Sequence, residues 1–479
     1  MRGRLTREIK RAVFVDGRLD PVLLVLLVLI NGLVLFNTVV YEPDFPGDAA
    51  EFKRYAAALA EGRLPEKSDS REFFTPPLPF VMPAALLAAG VPYSLAMKLG
   101  QNVNVLYSAA LLLVVLLLVE ELRPGDRAAK RIALLFLAML PVYQHTFVYM
   151  RGEPPLALGT ALVLLLAIRE LSRPDWRPRA LATLGLVMGL MLLCRQQGVF
   201  VVLAVTAYAG LRLLATPDGR ATRLRALALS LVVAGAVGGW FYLSLWARFG
   251  TPMAFNKPRI SPAFANRPSD FYVGTGNGEL FSRPSRPHFT GQFLPTLYAD
   301  AWGDYYGYFL LYVFHCGKDR FVPPWEWEKD LDKWRDPQRF RTNLFTRTPD
   351  LGRTNILALG PTALCLLGMA GGILALPRLA GRDPRPPSTL RPLLALTIAL
   401  TLGGYFFLLL SFSPSFARGT TIKATYMLQV FPLFAVLGAD AVARLRERSR
   451  PAFTLVVSGL CLLLLHNAPL LVTAYWPWP

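Results

Sequence analysis

Residues 21–41, PVLLVLLVLINGLVLFNTVVY, contain no charged side chain. As a helix, a stretch of that length rises about 31 Å, enough to cross a hydrocarbon core of roughly 30 Å. It is too long for the apolar region of a signal peptide and has no small-residue cleavage site after it, so it reads as a retained first span. Ten further apolar blocks follow, at 95–120, 132–150, 155–169, 180–194, 198–214, 226–247, 356–378, 392–412, 425–443 and 452–473. With 53% hydrophobic residues, an ordinary soluble globule is excluded. The expected fold is an all-α polytopic membrane protein of about eleven spans, its N-terminus cytoplasmic and its C-terminal AYWPWP outside in an interfacial aromatic belt.

A net charge of +19 on a soluble chain would suggest nucleic acid. Here the arginines gather in short loops between apolar blocks, as at Arg123, Arg127 and Arg131, at Arg169, Arg173, Arg177 and Arg179, and at Arg444, Arg446, Arg448 and Arg450. If the spans alternate, every such cluster falls on one side. The charge therefore encodes orientation by the positive-inside rule, and no nucleic-acid partner is required. The four cysteines, Cys194, Cys316, Cys365 and Cys461, are scattered and predict no disulfide framework.

This layout divides the chain into three segments: an N-terminal membrane module 1–247, which includes an external loop 42–94; a large non-cytoplasmic region 248–355, rich in Pro, Gly and aromatics; and C-terminal membrane helices 356–479. Within the first loop, the Pro-rich stretch ending in VMPAALLAAG reads as a short helix lying in or on the outer leaflet. Both loops sit on one face, and chemistry is expected there.

Four motifs face that side. PDFPGDAAEFKRYAAALAEG comes after the first span, and Asp48 and Glu51 have the spacing of a capping box, N-cap and N3; the same carboxylates could instead take a proton or hold a metal. YMRGEPPLALG places Arg151 and Glu153 in an external hairpin. CRQQG places Arg195 at the tip of the hairpin 180–214, whose arms of about 15 residues rise only ~22 Å. Arg195 therefore sits below the outer surface, where a charge is expensive unless it has a partner or a function. A lipid-linked phosphate would suit it, because guanidinium binds phosphate oxygens bidentately; snorkelling to the interface is the plainer alternative. ARGTTIKATYMLQVFP carries Arg418, Lys423 and Tyr426. Lys423 lies about 31 Å of helix before Arg444, at the outer interface, where it could clamp a phosphate with Arg418 or serve with Tyr426 as an ordinary anchor.

Together, GDAAEFKRYAAALAEGRLP, the nearby EFFTPPLPFVMPAALLAAG and the late Lys423, Tyr426 and Pro432 pattern resemble the GT-C superfamily of polyprenyl-phosphate-sugar-dependent glycosyltransferases. Relatives include protein O-mannosyltransferases and the transferases that add aminoarabinose to lipid A. The resemblance implies a GT-C-like architecture and transfer of a single sugar from a polyprenyl or dolichyl phosphate to a lipid, glycan or protein acceptor on the non-cytoplasmic face. It implies Asp48 as general base, in a family where the acid after the first span is given that role. This chain lacks the adjacent Asp-Glu pair of many relatives, so the choice among Asp44, Asp48 and Glu51 stays open. Arg151, Arg195, Arg418, Lys423 and Tyr426 would bind the donor. Glu153 would support Asp48 or hold a divalent metal, Mg or Mn.

YADAWGDYYGYFLLYVFH reads as an amphipathic interfacial helix that could offer a platform for a sugar. His145 reads as a satisfied core residue. Two rival functions remain. A transporter or lipid flippase would need polar groups near mid-membrane, and these are few, Asn102 and Asn104 being the main candidates with Gln144 nearer an end. A non-catalytic subunit of the same architecture would lack the base. The preference for Arg over Lys, with abundant Ala, Leu and Pro, points to a GC-rich genome and a bacterial inner membrane.

Overall fold

The computed structural model describes residues 2–15, 17–40, 43, 49–173, 175–215, 219–256, 267–286, 288–306, 314–315, 340–341, 343–380, 386–412 and 422–472. Asp44, Asp48, Arg418, Cys316 and the closing aromatic tail lie outside them. The protein is helical; among the described residues the strands are two hairpins of two-residue arms, Phe14–Val15 with Arg18–Leu19 and Phe314–His315 with Phe340–Arg341.

Nine helices among the described residues are long and apolar enough to cross a membrane, from Pro21–Val40 to Arg450–Leu471. Large apolar side chains such as Val25, Leu106, Leu203, Val232 and Leu455 stay exposed on them. A water-soluble protein would bury such faces, whereas lipid solvates them. The chain is an integral multi-pass membrane protein.

Two expected spans differ. The block 132–150 is broken into Arg127–Ala138 and Pro141–Phe147. Pro141 has no N–H to continue the ladder, and its ring pushes Leu140 into an extended conformation, φ −92° and ψ 107°. The seven-residue second piece is buried throughout. The block 180–194 is a helix, Pro178–Leu192, of 15 residues, shorter than a usual span. The short helix expected in the first loop is present as Leu78–Ala88 and packs on Ala49–Ala60 through Phe52, Tyr55 and Phe80.

Small residues set the closest helix contacts. A Cβ on Gly368 would lie 2.3 Å from the Leu437 carbonyl oxygen, and one on Gly185 would lie 2.2 Å from that of Ser230. Backbones approach this closely only where no side chain intervenes. The helix Arg220–Phe249 contains a π-helical turn at Gly235–Gly239, whose Gly238 nests against the Gly189 carbonyl.

The arginine clusters meet at one end of the bundle, as the charge pattern predicts. The buried Asp440 carboxylate pairs with Arg123 (2.7 Å), Arg391 (2.7 Å) and Arg444 (2.9 Å). Arg169 and Arg11 share Glu121, and Arg131 holds Asp20 at 2.8 Å.

Candidate active site

Arg151, Glu153 and Arg195 come together on turns that the sequence separates by some forty residues. Gly152 permits it: a Cβ there would stand 2.2 Å from the Cys194 carbonyl oxygen and 2.7 Å from Arg195 Cγ. Any other residue would push the two turns apart. Asn104 donates to the Phe147 and Tyr149 carbonyls at 2.9 and 2.6 Å, and Gln101 to that of Val148 at 2.9 Å. These amides fix the chain leading into Arg151. Asn104 thus has a structural use, and His145 is satisfied by the Leu470 carbonyl at 2.8 Å. The CRQQG turn is braced from the first external loop, since Leu78 N–H donates to the Leu193 carbonyl (3.0 Å) and Gln196 Nε2 to that of Phe74 (3.0 Å).

Glu153 opens the helix Glu153–Leu171, where the positive helix end favours a carboxylate. Arg151 grips it in a fork, Nε to Oε2 at 2.7 Å and Nη2 to Oε1 at 3.0 Å. Arg195 adds Nε and Nη2 to Oε1 at 3.0 and 2.7 Å. The Arg195 Nη1 donates to Thr75 Oγ1 (3.1 Å) and lies 3.7 Å from Glu72. Thr75 in turn donates to Glu72 (2.8 Å) and receives Tyr55 Oη at its carbonyl (2.6 Å). All of these side chains are buried. A divalent metal at Glu153 would have to displace both arginines, and among the described residues no three His, Cys, Asp or Glu side chains converge to hold a cation.

The Tyr426 ring joins this cluster to Lys423. The guanidinium carbons of Arg151 and Arg195 lie 5.2 and 5.8 Å from its centroid, and Lys423 Nζ lies 5.9 Å away. These are cation–π distances. Lys423 also lies 5.7 Å from the Tyr306 ring, and Arg286 lies 5.8 Å from the same ring. Tyr306 Oη donates to the Ile422 carbonyl at 2.6 Å, and the Lys423 N–H donates to Tyr405 Oη at 2.8 Å.

Asp300 accepts the Ala424 N–H at 2.6 Å and so caps the 3₁₀ segment Ala424–Val430. Burial pushes its carboxyl up to about 7; the Ala424 N–H, Lys423 and Arg151 pull the other way, and Asp304 adds to the rise. The expected amphipathic helix stops at Trp302. Gly303 comes next, and Asp304, Tyr305 and Tyr306 turn into the protein, fully or nearly buried.

Five of the expected residues therefore meet in one cluster: Arg151, Glu153, Arg195, Lys423 and Tyr426. Asp48 and Arg418 lie outside the described residues. Glu51 falls in the first turn of Ala49–Ala60, third in the helix as a capping box requires. Its Oε2 accepts the Arg71 N–H at 2.7 Å and its Oε1 pairs with Arg54 at 3.4 Å, which ties this helix to the loop carrying Glu72. Glu72, Thr75 and Arg286 were given no role by the sequence. The one available signal was an acid and a hydroxyl inside the Pro-rich, apolar EFFTPP.

No family model and no curated relative matches the chain. Among solved structures it is similar to ArnT from Cupriavidus metallidurans, in the apo state and bound to undecaprenyl phosphate. Both comparisons show 17% identity over 88% of this chain, covering 77% and 78% of the other, with TM-scores of 0.37 and 0.36. The likeness is remote, and the function is read from this chain's own residues.

Proposed function

We propose that the protein is a membrane glycosyltransferase that takes a single sugar from a polyprenyl phosphate and passes it to an acceptor at the non-cytoplasmic face of a bacterial inner membrane. The observation that carries this reading is the convergence of Arg151, Arg195 and Lys423 on the Tyr426 ring, at the bundle end away from the Asp440 arginine cluster. A lipid-linked phosphate presents its oxygens at an interface, and fixed guanidinium and ammonium groups there suit it.

In the reaction, an acceptor hydroxyl attacks the anomeric carbon as the bond from that carbon to the phosphate oxygen breaks, with inversion. Asp48, the residue before the helix Ala49–Ala60, takes the acceptor proton. Arg151, Arg195 and Lys423, with Arg418, stabilise the charge gathering on the departing lipid phosphate. Glu153 holds the two arginines in place before the donor arrives, so little reorganisation is needed during the step. Glu51 fixes the start of the helix that begins after Asp48.

The test uses purified protein in lipid with radiolabelled polyprenyl-phosphate sugars, scoring donor binding and sugar release for wild type and Asp48→Asn. Turnover with one donor, lost in Asp48→Asn while binding persists, is the expected result. Absence of binding to every donor would return a transporter to first place.

A further inference from the structure

Among the described residues, two glutamines beside the cluster have no hydrogen-bond partner at either end of their amides. Gln144 lies in Pro141–Phe147 and Gln429 in the 3₁₀ segment Ala424–Val430, and both are 0% exposed. Neither Nε2 nor Oε1 of either residue is bonded among the described residues. Each buried polar group left unpaired costs about 1–3 kcal/mol, and native proteins keep few of them without an occupant. His145, next to Gln144, and Asn104, which holds the end of the same helix, both reach carbonyl oxygens, whereas Thr425 Oγ1, in the same 3₁₀ segment as Gln429, is a further buried oxygen with no hydrogen-bond partner among the described residues.

Placement ties the two amides to the cluster. The helix Pro141–Phe147 packs directly on the 3₁₀ segment, and Phe293–Trp302, which carries Asp300, packs on both. Gln429 comes three residues after Tyr426, one 3₁₀ turn or about 6 Å of rise. A hydrocarbon tail would leave the amides as unsatisfied as they are now. A hydroxyl-bearing ring would not, because each amide offers an acceptor and two donors, and a sugar hydroxyl can both give and accept.

We propose that Gln144 and Gln429 bind the sugar of the donor, beyond the point where Arg151, Lys423 and Tyr426 receive its phosphate. This inference rests on the lipid-phosphate donor reading above. It divides donor recognition in two: cations for the phosphate, buried amides for the sugar.

Gln144→Leu and Gln429→Leu, each with an unfolding measurement, are titrated with sugar-free polyprenyl phosphate and with polyprenyl-phosphate mannose and polyprenyl-phosphate glucose. Gln→Met at the same positions keeps the side-chain length and replaces any Leu variant that does not fold. Wild type is expected to bind at least one sugar-bearing donor more tightly than the sugar-free lipid. Each variant is expected to lose that gain, roughly tenfold for a lost hydrogen-bonded group, with sugar-free binding unchanged. Variants that bind both kinds of ligand as wild type does would mean that the amides hold internal water only, and the inference fails. An equal loss for both kinds would place the amides in the phosphate site or in general packing, which also overturns it. Wild type gaining nothing from the attached sugar overturns it as well. Wild type that binds no polyprenyl phosphate at all sinks the donor reading first.

Discussion

Replacing Glu153 by Gln changes a charge and almost no volume, so it isolates what that carboxylate does. In the native protein it is fully buried and accepts four hydrogen bonds, two from Arg151 and two from Arg195, whose own side chains are 9% and 10% exposed. A glutamine keeps one acceptor oxygen and turns an NH2 group toward a guanidinium. Two buried cations then face each other with no carboxylate between them. Removing one partner of a buried ion pair costs about 3–5 kcal/mol, and Glu153→Gln is expected to lower unfolding stability by that amount. The internal control is Glu279→Gln, which breaks an exposed pair with Arg283, 2.7 Å apart with the arginine 61% exposed; it should cost less than about 1 kcal/mol. Both are read by denaturant unfolding in the same detergent–lipid mixture. A phosphate anion able to take the place of the carboxylate should recover part of the loss, about 2.7 kcal/mol at a hundredfold excess over its Kd. If Glu153→Gln unfolds within about 1 kcal/mol of wild type, the carboxylate is not what holds the arginines, and the preorganised site falls with it.

Asp300, pushed up to about 7, holds its proton more tightly folded than unfolded. The folded state therefore binds the extra proton between about pH 4 and 7, and stability should fall as pH rises through that window. Asp300→Asn should remove this part of the slope, checked by unfolding wild type and variant from pH 4 to 8; identical slopes would place the titration elsewhere. Gly368→Ala should destabilise by about 1–3 kcal/mol through overpacking against the Leu437 carbonyl. Gly360→Ala, in the same helix with nothing within 4 Å of the added Cβ, should be neutral or slightly stabilising, and thermal melting of the pair separates packing from helix propensity.

Much of the architecture was legible because lipid imposes length and composition on each span. Pro21–Val40 and Gly198–Ala215 begin and end within a residue of the blocks read from the sequence. The block 132–150 misled because hydropathy averages over Pro141, whereas the backbone does not: one missing N–H and one crowded Leu140 end the helix. In the site, Arg195 was legible from depth, since a short hairpin cannot lift its tip to water. Its partner was not. The contact with Glu153 depends on the absence of a side chain at Gly152, and nothing in EPP or CRQQG records that the two turns meet. Glu72, Thr75 and Asp300 were missed for the same reason, because each is given its role by a residue distant in sequence.

Those distant contacts give the cluster its chemical character. A charge at the depth of Arg195 has to be compensated before any substrate arrives, and Glu153 does this for two arginines at once. The pair is thereby fixed with its guanidiniums over the Tyr426 ring, where a flexible side chain would otherwise lose entropy on meeting a phosphate. Lys423 is set from another direction, through Tyr405, Tyr306 and the Asp300 cap on the next turn. Two cations held by one buried carboxylate, and a third on a separate segment, stay apart in position while sharing one aromatic face. That arrangement suits a ligand whose charge grows as a bond breaks, because the groups that must stabilise the new charge are already in place and already dehydrated.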